Sequence, residues 1–425
     1  LTIFQLMAYV DRMASVKQSY QGSTGKIVLL ALALFVAATN AFLIAGLLPD
    51  IATTLGTTPA EVSYSISSYA IVVALASPLV SIVLARVPRV PLMTAGLAVF
   101  ALGTATAAAS DSVGLFFVGR TLSGLGSAAL VPTATAAAAA LVPPERRGRA
   151  LALVGAGFTL ATAVGSPVGT ALGGAAGWRL PMFLLVGLAA VLVVAIPLAV
   201  RGVPLSPAVR LRQRLAPLAD SRILAPLGTT LLMVAGFNVV YIFSAAITAP
   251  TTGGSSGLLA TLLLSYGLAG VVGNLVAGPA ADRFGARRVA VIALSGQVIA
   301  LVVLTLVERS FAGSLVLFAL WGVVAFASPI PIQHRLVAVA PESAALSLSW
   351  YSTAMYVGIA VAPPLGAITL GFAGAGALPL AGALATLLAL GLFLLGFARR
   401  RSLAGAEPAT GPAAEPAVAG SVERA

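Results

Sequence analysis

Residues 257–307 read GLLATLLLSYGLAGVVGNLVAGPAADRFGARRVAVIALSGQVIALVVLTLV. Within this stretch two apolar runs, 257–279 and 288–307, each reach the roughly 20 residues that a helix needs to cross a bilayer. The short turn between them holds Asp282, Arg283, Arg287 and Arg288. Charge is confined to the turn, so the pair reads as two membrane spans joined by a water-facing loop.

Working outward, ten more runs of this kind appear. In the first half they lie near 27–49, 62–84, 90–109, 113–140, 150–173 and 180–200; in the second, near 224–247, 311–334, 344–371 and 377–398. Composition agrees. Of 425 residues, 59% are hydrophobic and 8% charged, and the mean hydropathy is +1.05. So little charge cannot cover the exterior of a soluble protein of this length. The expected fold class is an all-α membrane protein with twelve transmembrane helices.

The net charge of +12 comes from 24 Lys+Arg against 12 Asp+Glu. These basic residues fall mainly between spans and form no stripe with interleaved aromatics, which argues against nucleic acid as a partner. Cysteine is absent, so disulfides, thiolate metal sites and cysteine nucleophiles are excluded, and His334 is the only histidine. Neither paired carboxylates nor a metal-ligand cluster is present. No enzyme activity, metal or cofactor is expected.

Short loops keep their Lys and Arg on the cytoplasmic side. Arg86 and Arg89 follow the second run, and Arg146, Arg147 and Arg149 the fourth; Arg201 to Arg222 separate the sixth and seventh. Arg283, Arg287 and Arg288 follow the eighth, Arg335 the tenth and Arg399 to Arg401 the twelfth. The opposite loops hold Asp50, Glu61, Asp111 and Glu308 with only Arg179 and Arg309. The expected location is the inner (plasma) membrane, multi-pass, with both termini cytoplasmic. Residues 1–25 lack the order of a secretory signal and read as a cytoplasmic leader. Residues 401–425 are rich in Ala, Pro, Gly and Glu without hydrophobic periodicity, and are expected to be disordered.

An internal repeat emerges at an offset of 197 residues. Ala85 to Pro88 falls on Asp282 to Gly285, Pro132 on Pro329, Pro144-Glu145 on Pro341-Glu342, and Pro167 and Gly169 on Pro364 and Gly366. Six spans return the chain to the side it started from, so both copies share one orientation about an axis along the membrane normal. The expected organisation is a six-helix bundle over 26–200, a basic linker over 201–222 and a second bundle over 223–400.

These features resemble the major facilitator superfamily, and within it the twelve-span drug:proton antiporters, including the sugar-efflux and chloramphenicol-efflux branch. Gly278, Asp282, Arg283, Gly285, Arg287 and Arg288 are similar to the family's loop signature. There Gly278 would let two helices approach closely and Asp282 would meet a helix N-terminus or an arginine, forming a latch. The first-half copy, Ser81 to Arg89, lacks both acid and glycine. Arg120, within Leu115 to Gly126, resembles the fourth-span motif, which implies proton coupling or substrate binding. An arginine that deep in a span needs a wet cavity or a partner. Gly155, Gly157, Gly165, Pro167 and Gly169 look like the antiporter motif of the fifth span, with a kink expected at Pro167. Thr39-Asn40-Ala41-Phe42 through Asp50 is similar to the opening of the efflux branch, yet Ala41 stands where an acid is common.

In this fold the cavity lies between the halves, lined by the first, fourth, seventh and tenth spans. The polar and aromatic candidates there are Asn40, Arg120, Asn238, Tyr241 and Trp321, with Tyr69, Asn274, Gln297, Tyr351 and Tyr356 as additions. Asp50 is the nearest carboxylate for coupling. One cation among amides and aromatic faces suits a neutral or weakly anionic amphipathic molecule. The resemblance implies export of such a substrate by alternating access, with a proton as coupling partner, the bilayer as solvent and a monomer as working unit. Sugar or metabolite efflux or uptake is the alternative within the fold. A channel or membrane sensor is the alternative outside it.

Overall fold

A computed structural model of the chain describes residues 3–204, 211–307 and 309–404. Among the described residues there is no strand, and twelve helices are long and apolar enough to cross a membrane. They are α1 (Thr24–Leu55), α2 (Pro59–Val83), α3 (Arg89–Ala108), α4 (Val113–Ala140), α5 (Pro144–Ala176), α6 (Arg179–Ala199), α7 (Arg222–Thr252), α8 (Ser256–Phe284), α9 (Ala286–Val307), α10 (Phe311–Val339), α11 (Pro341–Ala373) and α12 (Ala375–Gly396). Large apolar side chains such as Val83, Leu306 and Phe372 stand on the outside, as a protein dissolved in lipid requires.

Each expected span is present within a few residues. The ends that differ most include those of α5, which already starts at Pro144, of α1, which runs through Pro49 to Leu55, and of α7, which runs through Pro250 to Thr252. In a membrane helix, proline is tolerated because neighbouring groups satisfy the carbonyl it frees. Backbone helix extends upstream of α1 to Ile3, so most of the expected leader is continuous with the first span. Beyond α12 the helix reaches Ala404, which makes the first residues of the expected disordered tail helical. Residues 405–425 lie outside the described residues.

Helix starts reproduce the repeat. Pro59 and Ser256, Arg89 and Ala286, and Pro144 and Pro341 open matching spans, each pair 197 residues apart. The copies differ inside. Helix α4 is continuous through Pro132, whereas α10 breaks at Ser328 beside Pro329. A π-helical turn, Ala161–Gly165, interrupts α5, whereas α11 stays regular through Pro363 and Pro364.

Between the halves, α2 packs on α11 and α5 on α8. Ser67 Oγ donates to the Ala360 carbonyl across the first pair at 2.7 Å. In the second, a Cβ on Gly267 would fall on the backbone of Ala163, inside the π turn.

The linker carries a short helix, Leu211–Leu215, and a 3₁₀ turn, Ala216–Ala219; residues 205–210 lie outside the described residues. Arg214 reaches both halves. Its Nη1 donates to the Pro78 carbonyl of α2 and its Nη2 to Ser349 Oγ of α11, both at 3.3 Å. Partial burial holds this guanidinium below the usual arginine range. Trp350 Nε1 donates to the Arg214 carbonyl at 2.8 Å. Trp350→Phe removes that bond, worth about 1 kcal/mol. Proteolytic cleavage between Arg201 and Arg214 should then rise about fivefold, and an unchanged cleavage rate would show that the linker is held by other contacts.

Candidate functional site

A small cavity sits at the meeting of the halves. Its wall comprises Ala41, Phe42 and Ala45 of α1, Ile66 and Tyr69 of α2, Asn238, Tyr241 and Ile242 of α7, and Tyr356 and Ile359 of α11. It has room for little more than a water in this conformation. Two expected residues, Asn238 and Tyr241, line it, together with Tyr69 and Tyr356. The expected participation of α4 and α10 is replaced here by α2 and α11, because the inter-half contact of those two helices brings their side chains to the centre.

Arg120 and Asn40 come together beside this cavity, outside its wall. Both are fully buried. Arg120 Nη1 donates to the Asn40 carbonyl at 3.1 Å, and the guanidinium lies over the Tyr69 ring, 4.7 Å from its centroid. Tyr69 in turn donates its hydroxyl to Ser127 Oγ at 2.7 Å. Among the described residues Arg120 therefore has a cation–π neighbour and one backbone acceptor, but no acidic partner.

An aromatic chain crosses from one half to the other. Phe42 packs edge-on against Phe158 and Tyr241, with centroids 5.5 and 5.7 Å apart. Tyr241 meets Tyr266 at 5.5 Å, and Tyr266 meets Trp321 at 4.4 Å. Trp321 is thus buried behind Tyr266, away from the cavity wall. Asn238 spends its amide on the Val234 carbonyl, one turn back, and Gln297 bonds Thr386 within the second half.

One hydrogen bond joins the halves at the cavity: Tyr241 Oη donates to Ser166 Oγ at 2.9 Å. A buried bond of this kind is worth about 1 kcal/mol, a factor of about five in a conformational equilibrium. Tyr241→Phe should therefore depopulate this closed arrangement. Because the chain has no cysteine, the single replacement Ala45→Cys on the cavity wall reports it: alkylation should be about fivefold faster with Tyr241→Phe. An equal rate would mean that the bond does not hold the halves.

The glycines of α5 have a defined use. A Cβ on Gly157 would fall on the Ala31 carbonyl, one on Gly165 on the Thr39 side chain, and one on Gly169 on Leu43. Both rows run at steps of four or eight, so α5 and α1 lie ridge to groove along their length. Gly155, by contrast, meets nothing within 4 Å. The kink expected at Pro167 takes the form of the π turn just before it. Proline lacks an N–H, and the wider turn accommodates the carbonyl left unpaired.

The loop signature departs from expectation in two ways. A Cβ on Gly278 would meet nothing within 4 Å, so this glycine makes no close helix approach here. Asp282 meets neither a helix end nor an arginine across the halves: its carboxylate lies 3.5 Å from His334 Nε2 of α10, in its own half, with both side chains exposed. Gly285 is required, since it closes α8 at φ +86°. Arg283 lies against Phe284, and Arg287 and Arg288 are exposed.

Asp50 lines a second cleft between α1 and the α7–α8 connection, on the face opposite the basic loops, with Gly46, Phe243, Ser255 and Leu259 among its walls. Among the described residues Asp50 is the only charged one that lines the cleft. The sequence reading missed Phe42, Phe158, Ser166 and Tyr266. For Tyr266 the signal was available, since it falls 197 residues after Tyr69.

Twelve spans in two six-helix copies around a central cavity define a secondary carrier of the membrane. The sequence pattern described as Major Facilitator Superfamily matches residues 30–249 and 225–422, and the chain belongs to that family. It is 29% identical to the MFS-type transporter YbcL of Bacillus subtilis (strain 168) over 81% of this chain and 89% of that one. It is 30% identical to the chloramphenicol resistance protein of Streptomyces lividans over 81% and 88%. The inner membrane transport protein YdhP of Escherichia coli (strain K12) is 29% identical over 75% and 82%. Among solved structures, the nucleoside transporter NupG superposes with a TM-score of 0.73 at 12% identity, covering 88% of this chain and 99% of that one. The chain is a multi-pass membrane transporter of this family.

Proposed function

We propose that the chain exports a small neutral or weakly anionic amphipathic molecule, of the drug, antibiotic or secondary-metabolite class, by alternating access as a proton antiporter. The observation that carries this reading is the cavity wall. It offers Phe42, Ile66, Ile242 and Ile359 as apolar surface and Tyr69, Asn238, Tyr241 and Tyr356 as polar points, with no carboxylate to favour a cation. The similarity to a chloramphenicol resistance protein supports export and a neutral substrate. For the proton, Asp50 is the candidate, because it is a carboxylate in a cleft walled by both halves. On this reading the basic loops face the cytoplasm, as does the linker between the bundles.

Everted vesicles test it. Uptake of neutral antibiotics should exceed that of sugars and of lipophilic cations, and it should collapse when the pH gradient is removed. Asp50→Asn should lose gradient-driven accumulation while keeping substrate exchange. Movement of sugars alone would overturn the substrate class, and gradient-independent accumulation would overturn the proton.

A further inference from the structure

The donors around Arg120 outnumber the acceptors. A guanidinium carries five N–H groups, and only Nη1 has a protein acceptor, the Asn40 carbonyl. Arg120 Nε and Nη2 have no partner, nor do Nδ2 and Oδ1 of Asn40, and all are fully buried. Asn40 gives its backbone oxygen to Arg120, and its own side-chain amide is buried without a partner. Three donor nitrogens stand unmatched against one amide oxygen.

The charge is unmatched as well. A buried guanidinium inside a membrane is costly unless a partner compensates it. Among the described residues no acidic group acts on Arg120, and the carboxylates whose side chains are described lie at span ends or in loops: Asp50, Glu61, Asp111, Glu145, Asp220, Asp282 and Glu342. Water could accept from these donors, but it brings protons of its own and no negative charge. A ligand that only accepts, and that carries a single negative charge, meets both needs. Helix α4 is closely packed here, since a Cβ on Gly119 would fall on the Ala107 backbone and one on Gly124 on the Tyr69 backbone, which disfavours a bulky ligand.

The repeat supplies an independent contrast. Tyr69 and Tyr266 are equivalent positions. Tyr69 carries the Arg120 guanidinium on its ring, while Tyr266 carries the neutral Trp321 indole. At this position only the first half has a charge to balance.

We propose that Arg120 and Asn40 form a binding site for a small inorganic monoanion of the halide class, separated from the substrate cavity by the Tyr69 ring. The ion accepts from the guanidinium and from Asn40 Nδ2 and neutralises the span. Tyr69 touches both compartments, lining the cavity with one part and Arg120 with its ring face, so occupancy of one bears on the other.

The test is a thermal-unfolding series on the purified full chain in chloride, bromide and gluconate at equal ionic strength. Chloride and bromide should each raise Tm above the gluconate value by about 2 °C or more, saturably. The readout is the difference between salts within one variant, which survives changes in absolute stability. That difference should vanish in Arg120→Met, shrink at least threefold in Asn40→Ala, and persist in Arg179→Gln, which alters an arginine paired with Asp111 at a span end. Equal Tm in all three salts, or an undiminished halide shift in Arg120→Met, overturns the site. Stabilisation by formate, run as a fourth salt, but not by bromide overturns the halide assignment in favour of a carboxylate. Because binding is read without transport, either result leaves the export reading to its own vesicle assay.

Discussion

Arg120→Met should lower transport by more than about tenfold while the protein keeps its membrane abundance and its Tm, measured in gluconate, stays level or rises. The two halves of that expectation come from one arrangement. Arg120 is fully buried, holds a single backbone acceptor and lies over the Tyr69 ring. Exchanging a buried charge for a hydrophobe of similar volume is often neutral, or stabilising by about 1–4 kcal/mol, because desolvation of the ion is relieved. A residue retained only for stability would therefore show the opposite pattern, with Tm falling and transport following it. Function is the reason to keep a cost of this size inside a span. Arg120→Lys should fall between the two, since it keeps the charge but loses the planar fork that reaches Asn40. Vesicle uptake normalised to immunoblotted protein, with Tm on the purified variants, decides it. A Met variant that transports normally removes Arg120 from the working site.

The architecture was legible in the sequence because membrane solvent makes it so. Lipid forces the backbone into helices about 20 residues long, and charge marks their ends, so runs such as 113–140 fell on the helix to the residue. The repeat was legible through its prolines and turns. Close packing was less so. Gly157 and Gly278 look alike in sequence, yet one touches the backbone of α1 and the other faces open space. Which side of a helix meets a neighbour depends on the rotation and tilt of both helices, and hydropathy does not encode that when lipid and protein are equally apolar. The cavity wall was half legible for the same reason. Asn238 and Tyr241 stood out as polar residues in apolar spans, whereas Phe42 and Ile66 are ordinary membrane residues until α2 and α11 bring them together. The pairing of Asp282 with His334 was hidden by distance along the chain, 52 positions that fold back through α9 and α10.

Two glycines of α8 turn this difference into a measurement. Gly267 lies where α8 crosses α5 between the halves. A Cβ there would fall on Ala163 Cα and within 3.0 Å of Ala163 N and Thr162 O. These are backbone atoms, which cannot swing aside as a side chain can, and they belong to the π turn, whose hydrogen bonding is already less regular than that of an α-helix. Relief must come from moving α5 and α8 apart. Overpacking of this kind costs about 1–3 kcal/mol or more, and the displacement acts on one of the two most extensive helix pairs between the halves. Gly267→Val should thus cut transport by about tenfold or more and lower Tm, because the halves no longer seat against each other. Gly278→Val, eleven residues further along the same helix, meets nothing within 4 Å and should leave both transport and Tm close to the parent value. The contrast is informative in either direction. If Gly278→Val proves the more damaging, the decisive close approach of α8 belongs to another state of the cycle, in which the loop of Asp282 and Arg283 packs against a neighbouring helix. If Gly267→Val alone is damaging, the α5–α8 crossing at the π turn is the contact about which the two bundles rock.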